Sequence, residues 1–238
     1  DIKVSGNTVY VGGQFDSIGG QPRSCIAALS ATTGLATDWN PNAVKSSYPA
    51  VNALVLSGST VYVGGAFTGI GGKARTNIAA LDAATGTATD WAPETDTGSY
   101  SDVNALALSG SLVYAGGDFS GIGGKARNGL AAIDAATGAA TDWNPDADNG
   151  EGLVTTLAVL GTTVFAGGGF TTMGVETRNF LAAVDTVTGL PTAWNPNAGS
   201  YIEALAVNGT SVYVGGQFTT IGGNSRPYFA EFPLADTT

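Results

Sequence analysis

The side chains that could recognise a ligand are three tyrosines and two carboxylates in the least repetitive parts of the sequence. Tyr48, Tyr100 and Tyr201 stand in these variable segments, together with Asp102 and Glu203. An exposed aromatic ring stacks on the C–H face of a sugar, while carboxylates and amides take its hydroxyls. The pattern predicts a ligand-binding site for glycans at these five residues. The alternative is that the tyrosines cover strand ends and the acids keep the protein soluble.

A second group of hard oxygen donors lies at Asp146, Asp148 and Glu151, in the segment Asp-Ala-Asp-Asn-Gly-Glu. Carboxylates at alternating positions of a loop are typical ligands for Ca²⁺. The segment lacks the twelve-residue pattern of a complete calcium loop. We therefore expect no cofactor, with Ca²⁺ at these three residues as the one alternative.

Residues for the common nucleophilic mechanisms are scarce. The sequence has no histidine, and its single cysteine, Cys25, stands in the apolar run Cys-Ile-Ala-Ala-Leu, which is typical of a buried thiol. No serine has the Gly-x-Ser-x-Gly setting of a strand-to-helix nucleophile turn. The sequence predicts that the protein is not an enzyme. A polysaccharide-acting hydrolase with paired carboxylates stays open as a weaker alternative, because acids are frequent in the loops.

All five arginines stand at one position of an internal repeat, namely Arg23, Arg75, Arg127, Arg178 and Arg226. Five repeated guanidinium groups could form a ring that binds a ligand. The structural interpretation, which we favour, is that each arginine forms an ion pair within its own repeat. Its partner would be the aspartate that ends the third strand, such as Asp82, or the aspartate before the tryptophan, such as Asp90.

The repeat is centred on the segment Val-Gly-Gly-x-Phe, which occurs with small changes five times along the chain. Its glycine pairs begin at positions 12, 64, 116, 167 and 215, so successive copies are 52, 52, 51 and 48 residues apart. Self-similarity at such a period predicts a solenoid, a propeller or an array. Each full repeat has four candidate strands joined by short turns, and no segment shows a helical period. Four antiparallel strands per repeat are typical of a propeller blade.

The predicted fold class is therefore all-β, a five-bladed β-propeller of four-stranded antiparallel blades with the last blade incomplete. We expect a single domain over residues 1–238. Its approximate repeats are 1–43, 44–94, 95–147, 148–198 and 199–238. The fifth repeat stops before a fourth strand and has no tryptophan. An incomplete blade leaves a sheet edge that a partner strand can extend.

The repeat Val-Gly-Gly-x-Phe-x-x-Ile-Gly-Gly-x-x-Arg-x-x-Ile-Ala-Ala-Leu-Asp resembles the delta-60 β-propeller repeat of secreted bacterial proteins. The resemblance covers essentially the whole chain and implies a fold and a secreted protein, but no activity. The segment from Ala80 to Trp91 is similar to the tryptophan-docking motif of pyrroloquinoline-quinone-type propellers, with one residue more between glycine and tryptophan. That similarity implies docking geometry only, without a quinone cofactor.

Charge and composition limit the partners of the protein. The net charge is −10 and only nine residues are basic, so the cationic surface that binds nucleic acid is missing. The apolar runs are too short for a membrane-inserted segment. The abundance of Asp, Thr, Gly and Asn favours an extracellular location, either secreted or at the surface of a bacterial cell.

These observations predict a non-catalytic extracellular binding or adhesion module, in which variable loops on one propeller face bind glycans. A rigid repeat with variable loops on one face is where binding residues usually lie. The expected partners are a glycan or an extracellular protein, and a strand added at the incomplete fifth blade. A structural repeat unit of an extracellular filament or surface layer is the main alternative.

Overall fold

The computed structural model describes residues 1–45, 47–96, 101–147 and 152–234. Within these ranges the chain is all-β and has no α-helix. Valine, isoleucine and tyrosine favour extended strands, and the frequent glycines favour the tight turns between them. No helix in this part of the chain is long and apolar enough to cross a membrane.

Each of the five repeats supplies five strands. The first two repeats contain β1 (Ile2–Ser5), β2 (Thr8–Gly12), β3 (Ser17–Ile18), β4 (Gln21–Pro22), β5 (Ile26–Ser30), β6 (Ala50–Ser57), β7 (Thr60–Ala66), β8 (Gly69–Ile70), β9 (Lys73–Ala74) and β10 (Ile78–Asp82). The third contains β11 (Asp102–Ser109), β12 (Leu112–Asp118), β13 (Gly121–Ile122), β14 (Lys125–Ala126) and β15 (Leu130–Asp134). The last two contain β16 (Val154–Leu160), β17 (Thr163–Gly168), β18 (Thr172–Met173), β19 (Glu176–Thr177), β20 (Leu181–Asp185), β21 (Ile202–Val207), β22 (Ser211–Gly216), β23 (Thr220–Ile221), β24 (Asn224–Ser225) and β25 (Phe229–Pro233).

The strands of each repeat form one three-stranded antiparallel sheet and one short hairpin. The sheets, numbered 1 to 5 in chain order, have the strand orders β1-β2-β5, β6-β7-β10, β11-β12-β15, β16-β17-β20 and β21-β22-β25. The two short strands of each repeat pair with each other. The apolar Val-Tyr-Val-Gly-Gly strand or its variant is the middle strand of every sheet, where its backbone has hydrogen-bonding partners on both sides.

The sheets have three strands where the sequence predicted four. The expected fourth strand of the second repeat makes one isolated bridge, between Leu81 and Ala88, and equivalent single bridges form at Ala36, Ala140 and Pro191. The reason is that the segment leaves its own sheet to reach the next one. Trp39, which follows Ala36 in the first repeat, donates its indole N–H to the carbonyl of Asp82 in sheet 2 at 3.1 Å.

The hydrophobic core is divided into four clusters, each between two successive sheets. Between sheets 2 and 3, for example, Tyr62 and Trp91 pack against Val103 and Val113. The ring centroids of Tyr62 and Trp91 lie 5.0 Å apart in an edge-to-face arrangement, which adds to the gain from burial. No such cluster joins sheet 5 to sheet 1 among the residues that the structure describes.

The first glycine of the Gly-Gly pair lets successive sheets approach closely. A β-carbon at Gly64 would lie 2.6 Å from Cγ1 of Val103 in sheet 3. Gly12, Gly116 and Gly167 meet the next sheet in the same way, at 2.5 or 2.6 Å. At Gly215, in sheet 5, the nearest atom is Cβ of Ala204 at 3.7 Å, an ordinary contact within the same sheet.

We expect Gly64→Ala to destabilise the protein, because the added methyl group has no room between sheets 2 and 3. Overpacking of this kind costs roughly 1 to 3 kcal/mol. The matched control is Gly215→Ala, which should change the free energy of unfolding by less than about 0.5 kcal/mol. Urea unfolding of both variants and the wild type measures the difference. Equal stability of the two variants would contradict the close sheet contact.

Candidate functional site

Tyr48 lies on the rim of an open cavity of ≈ 460 Å³ in the first repeat. The cavity is lined by Gln14, Phe15, Asp16, Ser24, Cys25, Tyr48 and Pro49. We call it the Tyr48 cavity. Tyr48 is 83% exposed. An exposed ring beside a carboxylate and an amide can stack on an apolar ligand face and bind its polar groups.

Two hydrogen bonds join lining residues of the Tyr48 cavity to the loop that carries Tyr48. The Cys25 thiol donates to the carbonyl of Pro49 at 3.1 Å, and the Ser24 hydroxyl donates to the carbonyl of Ala43 at 2.6 Å. Cys25 is buried, with 2% of its surface exposed. The loop that carries Tyr48 is therefore tied at both ends to the segment between β4 and β5.

The backbone of Tyr48 is in the left-handed region, with a φ of 49°. A bulky residue rarely adopts this conformation without a structural or functional reason. The other described non-glycine residues with positive φ belong to two positions that recur along the repeats: Cys25, Asn77, Phe180 and Tyr228 at one, and Asn42, Glu94, Asp146 and Asn197 at the other. Tyr48 belongs to neither of these positions.

The other predicted ligand-binding residues do not line the Tyr48 cavity. Asp102 forms a long ion pair with Lys45, with 3.4 Å between Nζ and Oδ1. The Tyr201 ring packs against Phe180, with 5.6 Å between centroids. Glu203 accepts a hydrogen bond from the Gln217 amide at 2.7 Å. Tyr100 lies outside the described residues.

One of the three predicted calcium ligands falls within the described chain. The Asp146 carboxylate accepts a hydrogen bond from the Asn128 amide at 2.7 Å. Asp148 and Glu151 lie outside the described residues. Among the residues that are described, no cluster of three or more Asp, Glu, His or Cys side chains could hold a metal ion.

The arginines bind backbone carbonyls, which the sequence did not predict. Arg75 donates through Nη1 to the carbonyl of Ala74 at 2.7 Å and through Nη2 to the carbonyl of Thr89 at 2.5 Å. The same pair of bonds forms at Arg23, Arg127 and Arg178. Each guanidinium thus holds the segment that carries the tryptophan, and the expected ion pair with Asp82 or Asp90 was wrong. A carbonyl acceptor has no side-chain signature, so the partner could not be read from residue types.

The two aspartates have other partners. The Asp82 carboxylate accepts from the backbone N–H of Thr85 at 2.7 Å and from the Thr85 hydroxyl at 2.9 Å, and these bonds lower the pKa of Asp82. Asp90 accepts from the Lys73 ammonium at 2.7 Å, and this charged hydrogen bond lowers the pKa of Asp90. Asp134 and Asp185 repeat the Asp82 turn, and Asp142 with Lys125 repeats the Asp90 pair.

A second cavity, of ≈ 320 Å³, lies where the first strands of several sheets meet. Its polar lining comes from Asp1, Lys3, Asn52, Asn104, Thr155 and Thr156. Asn52, Asn104 and Thr155 occupy the same repeat position, at which the strand register shifts by one residue. Such a bulge re-aims one side chain out of the alternation of the strand. The sequence carries a signal for these bulges, because a polar residue interrupts an apolar strand at each position.

Comparison with known proteins gives a fold likeness and no family. The chain matches a computationally designed protein, Ika8, with a TM-score of 0.60, 20% sequence identity, and coverage of all of this chain and 61% of the other. It also matches a chain of the mitotic checkpoint complex, with a TM-score of 0.61, 14% identity, and coverage of 97% and 58%. This chain spans about three fifths of the length of each. At these identities the likeness supports an all-β, propeller-like fold alone. No family model and no curated protein matches the chain.

Ser30 occupies, in the first repeat, the position of Asp82 in the second. Because the Asp82 carboxylate binds its turn more strongly than a hydroxyl can, we expect an aspartate at position 30 to stabilise the protein in a pH-dependent way. The Ser30 hydroxyl accepts two weak bonds, from the N–H groups of Thr32 and Thr33 at 3.3 Å each. Ser30→Asp should raise Tm at pH 7 by about 2 °C, because a carboxylate accepts stronger bonds. A carboxylate whose pKa is lower in the folded state than in the unfolded state stabilises the folded protein at pH values above the unfolded-state pKa of about 3.9. This contribution disappears as the pH falls through the folded-state pKa.

Thermal unfolding of Ser30→Asp between pH 7 and pH 2 measures this effect. Ser30→Asn is the matched control, since its amide accepts similar bonds without titrating, so its Tm difference from the wild type should stay constant. A gain for Ser30→Asp that persists at pH 2 would show that the carboxylate charge is not its cause.

Proposed function

We propose that the protein is a non-catalytic extracellular binding module that takes glycans at the Tyr48 cavity. The five sheets would be the blades of a five-bladed β-propeller that is left open between sheet 5 and sheet 1, with the last blade lacking its outer segment. The loops between blades would supply the ligand contacts, because they differ from repeat to repeat while the sheets do not. The resemblance to the delta-60 repeat supports the secreted location within this proposal.

The observation that carries the proposal is the exposed Tyr48 ring, whose residue has an unusual backbone conformation beside a cavity with both polar and apolar lining residues. Its 83% exposure leaves most of the residue accessible to a ligand. Gln14 and Asp16 line the same cavity and offer an amide and a carboxylate to sugar hydroxyls. An open cavity suits part of an extended polysaccharide better than a small enclosed substrate.

The proposal contains no catalytic step and no cofactor. A glycosidase of the common type needs two carboxyl groups on either side of the scissile bond. Asp16 is the one carboxylate among the described residues that line the Tyr48 cavity. The same cavity therefore supports binding better than hydrolysis.

The second candidate function is that of a structural unit in an extracellular filament or surface layer, which is also the main alternative that the sequence leaves open. It is favoured by the outward surfaces of sheets 1 and 5, which carry exposed apolar residues such as Val4 and Phe229. Large exposed apolar side chains grouped on one surface mark an interaction site.

We expect Tyr48→Ala to weaken glycan binding by roughly fivefold, because the contact of one stacked ring contributes on the order of 1 kcal/mol. A glycan array identifies the ligand, and titration calorimetry with the wild type and the variant measures the dissociation constant. Tyr228→Ala is the matched control, since Tyr228 is 66% exposed and lies outside the cavity.

The absence of any glycan hit for the wild type would overturn the proposal, as would equal affinity of wild type and Tyr48→Ala. Release of sugars from a polysaccharide panel would instead support the hydrolase alternative. Since Tyr48 is exposed, its replacement should leave the thermal unfolding curve unchanged, which separates loss of binding from loss of folding.

A further inference from the structure

The four internal interfaces show what each side of a sheet packs against. The side that faces the next sheet, called the forward face, carries Tyr62 and Ile78 in sheet 2. The side that faces the preceding sheet, called the backward face, carries Leu54, Leu56 and Val61 in the same sheet. The same positions in the other sheets form the other clusters. Every internal interface is therefore a forward face on a backward face.

Sheet 1 has a backward face that no described residue covers. Ile2 and Val4 occupy the positions of Leu54 and Leu56 and are 62% and 64% exposed. The counterpart Leu54 is fully buried. Other members of this face are only partly buried, although their counterparts in sheet 2 are fully or almost fully buried: Val9, Val11, Phe15, Ile18 and Leu29.

Sheet 5 has an uncovered forward face, the counterpart of the uncovered backward face of sheet 1. Phe229 pairs with Gly215 as Ile78 pairs with Gly64, yet Phe229 is 61% exposed and Ile78 is fully buried. The Phe229 ring stacks on Tyr213, with 6.3 Å between centroids and 21° between planes. The two rings form an apolar platform on the outside of the array.

We propose that the forward face of sheet 5 binds the backward face of sheet 1 of a second copy of this chain. Each of the four internal interfaces joins a forward face to a backward face, and these two uncovered surfaces are one of each kind. A second copy of this chain carries both kinds of face and can therefore cover either surface. Tyr10 donates its hydroxyl to the Ala83 carbonyl of the next sheet at 3.1 Å. In the proposed contact Tyr213, at the Tyr10 position, donates to Ala31 of the second copy, at the Ala83 position.

This contact is heterologous, since it joins two different surfaces of the same chain. Each copy retains one free forward face and one free backward face, so copies add head to tail into a ring or a filament. The contact gives the second candidate function its physical basis and does not depend on glycan binding.

One residue of sheet 5 departs from the internal pattern. Glu231 stands on the forward face where the other sheets have Ala28, Ala80, Ala132 and Ala183, all buried. Its carboxylate accepts from the Ser211 hydroxyl at 2.6 Å. Covering this carboxylate removes it from water, so the contact between copies is weaker than the internal interfaces.

Sedimentation velocity over a concentration series tests the proposal. The wild type should show dimers and larger species that grow with concentration. Val4→Arg blocks the backward face and Phe229→Arg blocks the forward face, and each should weaken association by roughly tenfold or more. Both side chains are more than half exposed, so both variants should fold. Val175→Arg is the control, since Val175 is 99% exposed in the hairpin of the fourth repeat and belongs to neither face.

Mixing the two blocked variants separates a heterologous contact from a symmetric one. Val4→Arg retains a forward face and Phe229→Arg retains a backward face, so the mixture should form a heterodimer and nothing larger.

Glu231→Ala should strengthen association by roughly tenfold, because it restores the internal pattern. A wild type that stays monomeric at all concentrations, a mixture that fails to associate, or a Glu231→Ala variant that associates no better would each overturn the proposal. Glycan binding is measured separately by calorimetry, so its failure leaves this test unaffected.

Discussion

The close approach of one sheet to the next at the first glycine of each Gly-Gly pair is the constraint on which the structure depends. A glycine in one sheet receives the valine or isoleucine of the following sheet at a distance that leaves no room for a β-carbon. That approach brings the tyrosine and tryptophan of one repeat onto the backbone of the next, where both donate hydrogen bonds. The core is therefore built between repeats, and a single sheet buries little by itself.

The sequence predicts most of this architecture because the same order of strands, turns and tryptophan occurs in successive repeats. The alternation in Val61 to Val63, the turn at Gly58 and the repeated tryptophan lead to strands, hairpins and packing between sheets. The fourth strand was overpredicted, because residue types around Trp91 suit a strand equally well whether the segment pairs with its own sheet or leaves it. The arginine partner was missed because every backbone has carbonyls, and only folding decides which of them lie within reach of Arg75.

The contacts of the predicted site residues depend on distances that the sequence does not state. Tyr48 and Tyr201 lie in loops of different repeats, and Glu203 lies in β21. Tyr201 packs on Phe180, while Tyr48 stays exposed beside Gln14 and Asp16. Spacing along the chain gives the face on which a loop lies, whereas the distance between two loops depends on the rotation from one sheet to the next.

The equivalence of the four internal interfaces has a consequence for how such a chain changes over generations. Removing or duplicating one internal repeat keeps a glycine opposite a valine or isoleucine at each remaining interface, because the four interfaces present share this contact. Recombination between similar repeats in the gene can therefore alter their number without creating a mismatched contact. The length of the array is free to vary while the local packing stays the same, and the loop residues outside the core clusters can diverge independently in each copy.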